Sequence, residues 1–365
     1  MNTESELTIS TPGRVCLFGE HQDYLLLPVI SCAISLRIVL DGKKRKDNNV
    51  RINLPDINSS ESFVLNGRLH YERERDYFKS VVNVMIKHGF TFSNGFNCNV
   101  NGNIPINSGT SSSSALIVTW VNFLSRMSDQ AKILSDKTIA RYAHEAEILE
   151  FNEPGGMMDQ YSTALGGVIY MNFHPHISIE KFPANLKTFV LGDSGEPKDT
   201  KLILARVKNQ IVDVVKKLKE TYKEFSLQTV TLETIELFSP ELTGEQVDLL
   251  KGTIINRDIT TEARTELLKK VIDDECLGKL LNRHQDILRD TLQISTPKID
   301  RMINAALNAG AAGAKINGSG GGGCMFAYAP NNPEAVAEAI EKAGGKAFIV
   351  YPDCGTKVEK METNS

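Results

Sequence analysis

Apolar runs rich in β-branched residues alternate with short polar segments over the first part of the chain. This pattern predicts strands over 7–18 and 29–40 and further strands within 50–67 and 95–105. Between them, apolar positions recur at helical spacing in 75–88, where Tyr77, Val81, Val84 and Met85 fall on one face. We therefore expect a mostly β start with one helix packed on it.

The pattern shifts toward long amphipathic helices in the second part of the chain. The elements expected after the first hundred residues are helices at 115–127 and 136–151, strands at 166–173, 177–182 and 188–193, long helices from about 200, a helix at 297–309, a strand at 323–329, a helix at 333–343 and a strand at 347–351. The alternation predicts a mixed α/β (α+β) protein. The shift from a strand-rich pattern to long amphipathic helices predicts two domains, 1–190 and 191–365.

Composition narrows the class of protein. The chain has 365 residues, of which 41% are hydrophobic and 24% charged, and its formal net charge is −4. Without a basic excess, a nucleic-acid or anionic-membrane partner is not expected. The start resembles no signal peptide, no window is apolar enough for a membrane span, and the six cysteines form no Cys-x-x-Cys pair. We expect a cytoplasmic protein with reduced thiols.

Hydrogen-bonding side chains are unusually dense in "GRVCLFGEHQDYLLLP", residues 13–28. Glu20, His21, Asp23 and Tyr24 follow directly on an apolar strand. Such a cluster can pair with a ligand that both donates and accepts hydrogen bonds. The alternative is a buried structural ion pair of His21 with Asp23 or Glu20.

Two segments are typical of loops that bind phosphate. "INSGTSSSSAL", residues 106–116, places a glycine and several hydroxyl residues before an apolar helix, whose N-terminus attracts anions. "INGSGGGGCMFAYA", residues 316–329, satisfies G-x-G-x-x-G formally, but a strand follows where a dinucleotide fold needs a helix. A plain serine N-cap and a flexible linker are the respective alternatives.

Two carboxylates lie in a third segment and the helix before it. Asp159 follows a Pro-Gly-Gly turn in "EPGGMMDQYSTALGG", where partly apolar surroundings suit a general base. Glu147 lies on the preceding predicted helix and could supply the hard oxygen that Mg²⁺ prefers. The alternatives are a helix N-cap for Asp159 and a solvated helix residue for Glu147.

Three of these segments, "PGRVCLFGEHQDY", "PINSGTSSSSAL" and "INGSGGGGCMFA", resemble in order and spacing the signature motifs of the GHMP kinase superfamily. Within it the chain is most similar to galactokinases, in "GEHQDY" and "GGMMDQYSTALGG". The resemblance implies an N-terminal domain like ribosomal protein S5 domain 2, a ferredoxin-like C-terminal domain, and an active site in the cleft between them.

The resemblance also implies roles for individual residues. Asp159 would be the base facing a sugar's anomeric hydroxyl, and Arg14 would orient it and stabilise charge on the transferred phosphoryl group. Mg²⁺ would be held by Glu147 and Ser113, with Ser112 as the alternative serine. Sugar hydroxyls would meet Glu20, His21, Asp23 and Tyr24. The residues implied for ATP are Ser108, Gly109, Thr110, Ser111, Ser112, Ser113, Gly320 and Gly321.

The acceptor is left open by departures from the galactokinase pattern. "DYLLLP" is shorter and more apolar than usual, Gly155 stands where a cysteine is common, and "LGDSGEPKDT" is closer to mevalonate kinases. The main hypothesis is an ATP- and Mg²⁺-dependent kinase acting on the C1 hydroxyl of galactose or a close relative. The alternatives are a uronic acid, arabinose, an N-acetylhexosamine or a mevalonate-type acceptor, and a sugar- and ATP-binding regulator without catalysis.

Overall fold

Two β-sheets organise the chain, which the computed structural model describes over residues 6–106, 108–197 and 200–362. In chain order the strands are β1 Glu6–Phe18, β2 Val29–Lys44, β3 Asn49–Leu54, β4 Ser59–Val64, β5 Phe96–Gly102, β6 Val168–Asn172, β7 Ser178–Phe182, β8 Phe189–Asp193, β9 Gly313–Ile316, β10 Cys324–Tyr328, β11 Lys346–Val350 and β12 Lys357–Glu362. The described helices are α1 Tyr77–Lys87, α2 Ser112–Met127, α3 Asp136–His144, α4 Met158–Leu165, α5 Thr200–Thr221, α6 Gly244–Leu267, α7 Asp274–Asp286, α8 Pro297–Asn308 and α9 Pro333–Lys342. A mixed α/β architecture is thereby confirmed.

The first sheet contains the N-terminal strands and the last strand described. Its order is β12-β1-β2-β5-β3-β4, with β6 beside β2 and β7 beside β6. Helices α2 and α4 pack on this sheet, and α1 and α3 pack against these helices, around a core that includes Trp120, Phe123 and Phe96. The helix predicted over 136–151 is α3 continued by a π-helical turn, Glu145–Leu149.

The second sheet has the ferredoxin-like order expected from the resemblance. Its strands run β11-β8-β10-β9, and each neighbouring pair is antiparallel. Helix α8 connects toward β9, and α9 joins β10 to β11. The division at residue 190 stays a prediction, but sheet membership changes at Phe189, where β8 begins. The final strand β12 lies beyond that division and pairs with β1 in the first sheet.

A shared core joins the two halves. Val15, Leu17 and Phe18 from the end of β1 are buried together with Phe189 and Phe326 of the second sheet. Burial of apolar side chains from both sheets stabilises their contact. The polar residues that follow Phe18 therefore lie at the junction between the halves.

The structure bears on two expectations from composition, the reduced cysteines and the lack of a membrane span. Cys16, Cys32, Cys98 and Cys324 are buried, and none of the six cysteines forms a disulfide bond. Across the described ranges, no helix combines the length and the apolar character needed to span a membrane. The cytoplasmic location stays a prediction.

Candidate active site

A cavity of about 340 Å³ lies between the two halves. The end of β1, the loop before α2, the turn before α4 and the glycine-rich loop after β9 all border it. Of the residues predicted for the site, those that border the cavity are Arg14, Glu20, His21, Asp23, Tyr24, Gly109, Ser111, Ser112, Ser113, Glu147 and Asp159. Segments far apart in sequence thus converge on one space.

Arg14 and Asp159 form an ion pair in this cavity. Asp159 is the second residue of α4, and Met157 rather than Asp159 is the N-cap, so the N-cap alternative was wrong. Nε and Nη2 of Arg14 donate to Oδ1 of Asp159 at 2.9 and 2.7 Å, while Nη1 donates to the carbonyl of Gly109. Burial opposes the charge of Arg14, but Asp159, together with Cys16 and Glu20, outweighs this effect and raises the pKa of the guanidinium.

The side chains of His21 and Tyr24 are hydrogen-bonded to each other at one end of the cavity. Nε2 of His21 lies 3.1 Å from the carbonyl of Ser319, and Nδ1 lies 3.0 Å from the hydroxyl of Tyr24. Because a carbonyl oxygen only accepts, Nε2 carries a proton, whereas the Tyr24 hydroxyl beside Nδ1 can either donate or accept. The two contacts fix the orientation of the imidazole ring.

Asp23 is a carboxylate beside the Arg14–Asp159 ion pair. It accepts hydrogen bonds from the backbone N–H groups of Tyr24 and Met158, at 2.9 and 3.2 Å. Burial and the negative charge of Asp159 raise the pKa of Asp23 to about 6. A Cβ on Gly156 would lie 1.9 Å from Oδ2 of Asp23, so only glycine leaves room for this carboxylate.

Glu20 pairs with a cation that the sequence analysis did not single out. Nζ of Lys315, on β9, donates to Oε1 of Glu20, and both side chains are buried. Nδ1 of His284 lies 3.8 Å from the other carboxylate oxygen. Burial, and then the charge of Lys315, lower the pKa of His284 well below its usual value, so this imidazole is neutral. The alternative in the sequence analysis, a buried ion pair of His21 with Asp23 or Glu20, was therefore wrong about the partner of Glu20, which is Lys315.

The serine-rich loop places hydroxyls and a helix N-terminus at the cavity. Helix α2 begins at Ser112, and Ser111 before it has a left-handed backbone with φ of 61° and makes no capping hydrogen bond. The Ser111 hydroxyl is buried and lacks a hydrogen-bond partner. An N-cap serine would be engaged with the helix, so the plain N-cap reading does not describe this loop. The orphaned hydroxyl and the unpaired N–H groups of α2 suit an anion.

Two predicted members of that loop do not border the cavity. The Ser108 hydroxyl donates to the carbonyl of Pro105 at 2.7 Å and lies 3.1 Å from the Thr110 hydroxyl. Both side chains are buried behind the loop. Their described contacts brace the loop, and their assignment to ATP stays a prediction.

Glu147 and Ser113 supply oxygen atoms suited to Mg²⁺. Glu147 is buried, not solvated as its alternative held, and accepts hydrogen bonds from Ser114 and Gln160 at 2.7 and 2.6 Å. Burial raises the pKa of Glu147, and a hydrogen bond from the Ser113 hydroxyl partly lowers it again. Among the residues that the structure describes, no group of three or more His, Cys, Asp and Glu side chains could hold a metal. One carboxylate and one hydroxyl fit a Mg²⁺ that takes its remaining ligands from phosphates and water.

The glycine-rich loop folds tightly against the rest of the site. Gly318 and Gly320 to Gly323 all have positive φ, a conformation that glycine adopts readily. Gly318 borders the cavity, whereas Gly320 and Gly321 pack against Ile294 and Ile203. The linker alternative was therefore wrong, and a direct contact of Gly320 or Gly321 with ATP stays a prediction.

Sequence reasoning missed a group of residues that complete the cavity. Arg75 donates two hydrogen bonds of 3.0 Å to Glu153, and both border the cavity with Tyr77. The charges of Arg75 and Glu153 alone would have suggested solvated residues. Lys315 carried a usable signal, because it is a lone charge in the apolar run "AGAAGAKI".

Known families and proteins match nearly the whole chain. Residues 76–167 match the family described as GHMP kinases N terminal domain, residues 264–346 match GHMP kinases C terminal, and residues 1–44 match the galactokinase galactose-binding signature. A mevalonate kinase of Pyrococcus abyssi is 30% identical over 93% of each chain. A galactokinase of Haemophilus influenzae is 29% identical over 95% of this chain and 92% of its own. The crystal structure of Lactococcus lactis galactokinase complexed with galactose superposes with a TM-score of 0.86 at 19% identity, covering 96% of this chain and 95% of that one.

Proposed function

Because the chain belongs to the GHMP kinase family, we propose that it phosphorylates the anomeric hydroxyl of galactose or a closely related sugar. It is an ATP-dependent phosphotransferase with an alcohol group as acceptor. The observation that carries the finer proposal is the position of the Arg14–Asp159 pair. It lies in one cavity with the serine-rich loop, on which phosphates fit, and with Glu20, His21 and Asp23, on which hydroxyls fit.

In this proposal Asp159 accepts the proton of the acceptor hydroxyl. Both hydrogen bonds from Arg14 to Asp159 end on Oδ1, which leaves Oδ2 for that hydroxyl. The hydroxyl oxygen then forms a bond to the γ-phosphorus, the bond between that phosphorus and the β,γ-bridging oxygen breaks, and ADP leaves with the electron pair. Arg14 holds the base in place and lies close enough to offset charge on the transferred group.

The serine-rich loop would bind the phosphates of ATP. The N-terminus of α2 presents N–H groups and a partial positive charge, and Ser111 presents a buried hydroxyl without a partner. Ser113 and Glu147 would hold Mg²⁺, with Ser112 as the alternative serine. When bound, this ion supplies positive charge that offsets the charge of the phosphates.

A sugar fits the acceptor end better than mevalonate does. Asp23 has only backbone N–H groups as described hydrogen-bond partners, and the charge of Glu20 is offset by Lys315. A second carboxylate at this end, such as that of mevalonate, would be repelled by Asp23. Hydroxyl groups can donate to Asp23 and Glu20, which favours a polyhydroxylated acceptor. The match of residues 1–44 to the galactose-binding signature supports the same choice.

A coupled ADP-release assay with ATP and Mg²⁺ tests this function. The acceptors are galactose, galacturonate, glucuronate, arabinose, N-acetylgalactosamine and mevalonate, and ³¹P NMR of the product identifies the phosphorylated carbon. We expect turnover with a neutral sugar and an anomeric phosphate. Turnover with mevalonate alone would overturn the sugar assignment. Binding of ATP and of a sugar without ADP release would favour the regulator.

A further inference from the structure

The side chain of Asn317, directly after β9, connects the three motifs of the site. It is fully buried, with 0% of its surface exposed. Its Oδ1 accepts the backbone N–H of Cys16 on β1, and its Nδ2 donates to the carbonyl of Gly109 in the serine-rich loop, each at 2.9 Å. A backbone N–H only donates and a carbonyl only accepts, so the orientation of the amide is fixed by its partners.

The carbonyl of Gly109 receives a second donor. Nη1 of Arg14 also ends on this oxygen, so both lone pairs of one carbonyl are engaged. Gly109 has a φ of 88°, where glycine can exchange readily between backbone conformations. Two donors on its carbonyl oppose rotation of the peptide between Gly109 and Thr110. The direction of that peptide is therefore set by two side chains and not by the loop alone.

The glycine-rich loop packs tightly against this carbonyl and against the carbonyl of Ser108. A Cβ on Gly318 would lie 2.8 Å from the Gly109 carbonyl oxygen, and one on Gly323 would lie 2.6 Å from that of Ser108. The N–H of Cys324 donates to the Ser108 carbonyl at 2.7 Å. The serine-rich loop is thus pressed between β1 and the glycine-rich loop. Asn317 is the buried amide that joins these layers.

We propose that Asn317 is a positioning residue that sets the phosphate-binding loop relative to the Arg14–Asp159 pair. Arg14 is shared, because its Nε and Nη2 hold Asp159 while its Nη1 holds Gly109. A displaced Gly109 carbonyl would therefore disturb both the loop that receives phosphates and the guanidinium that orients the base. The inference rests on the proposed use of the serine-rich loop for ATP, but not on the identity of the acceptor.

Asn317→Asp tests the role because it keeps the shape of the side chain and the acceptor for Cys16 while removing the donor to Gly109. Asn83→Asp is a matched control. Asn83 is buried on α1, accepts the N–H of Leu69 at 2.7 Å and donates to its carbonyl at 2.9 Å, so it loses the same kind of bond. Affinity for ATP and ADP is measured by calorimetry without an acceptor, and turnover is measured with the best substrate of the acceptor screen.

We expect Asn317→Asp to weaken ATP binding by about tenfold or more and to lower kcat as well, while Asn83→Asp lowers only the melting temperature. Amide hydrogen exchange in 108–113 should speed up in the Asn317 variant alone. Unchanged ATP affinity with a loss of stability equal to that of the control would overturn the proposal. If the Asp variant does not fold, Asn317→Ala is measured in the same way. A wild-type protein that binds ATP but phosphorylates no tested acceptor would count against the proposed function and leave this test intact.

Discussion

Lys315 and Glu20 form a buried ion pair across the junction of the two halves. The Lys315 side chain is 0% exposed and that of Glu20 1%, and the ammonium also donates to the carbonyls of Cys16 and Ile316 at 3.1 and 2.8 Å. Glu20 also borders the cavity between the two halves. Lys315 thereby stabilises the buried negative charge of Glu20, which would cost free energy of folding if it had no counter-charge.

Replacing Lys315 by methionine should destabilise the protein by about 3 kcal/mol or more, because the Glu20 carboxylate is left buried without a counter-charge. Urea unfolding monitored by tryptophan fluorescence measures the loss. Lys315→Arg keeps the charge and should lose less. Combining Lys315→Met with Glu20→Gln should restore part of the stability, and an additive double variant would contradict the coupling.

Asp159→Asn should lower turnover by roughly a thousandfold while ATP binding stays within about twofold, because the amide cannot take the acceptor proton. ADP release and calorimetry with ATP measure the two effects. Asp136→Asn is a matched control, since Asp136 also lies in the first turn of a helix but does not border the cavity. Near-normal turnover of Asp159→Asn would remove its assignment as the base.

Ser113→Ala should raise the Mg²⁺ concentration for half-maximal turnover by about tenfold, because one oxygen ligand is lost. The KM for the sugar should stay within about twofold of the wild type. Ser125→Ala, in the same helix with its hydroxyl on the carbonyl of Asn122, serves as the control. An unchanged Mg²⁺ dependence would transfer the role to Ser112, which Ser112→Ala then tests.

Asp23→Asn should stabilise the protein in a pH-dependent manner. The pKa of Asp23 is about 6 in the folded protein and 3.8 ordinarily, so folding favours its protonated form. The wild type therefore loses stability as pH rises from about 4 to about 6, and the loss is complete above that range. The asparagine variant lacks this loss, and its advantage should approach about 3 kcal/mol at neutral pH. Unfolding free energies of both proteins across this range measure it, and a difference independent of pH would contradict the shift.

Hydrophobic periodicity predicted most of the fold because it depends on neighbouring positions. The strands at 7–18 and 29–40 and the helices at 297–309 and 333–343 were found within a few residues of their observed limits. Strand β12 was not predicted. Its sequence "KVEKME" is highly charged, and its place at the sheet edge depends on pairing with β1.

The sequence motifs identified several residues of the site, but they did not indicate which residues contact one another. Arg14, Asp159 and Glu147 were identified from motifs, and the structure brings them to one cavity. The partner of Glu20 lies 295 positions away, which no local pattern can indicate. Within the serine-rich loop, only the backbone decides which hydroxyls face the cavity. Ser111 and Ser108 therefore look alike in sequence and differ in the structure.

The return of the chain to the first sheet constrains how the two halves can move. In the described part of the chain, the polypeptide leaves that sheet after β7 and re-enters it at β12, so the second sheet is covalently tethered at both of its ends. Any relative movement of the two halves would have to preserve both connections. It is therefore more restricted than movement about a single linker.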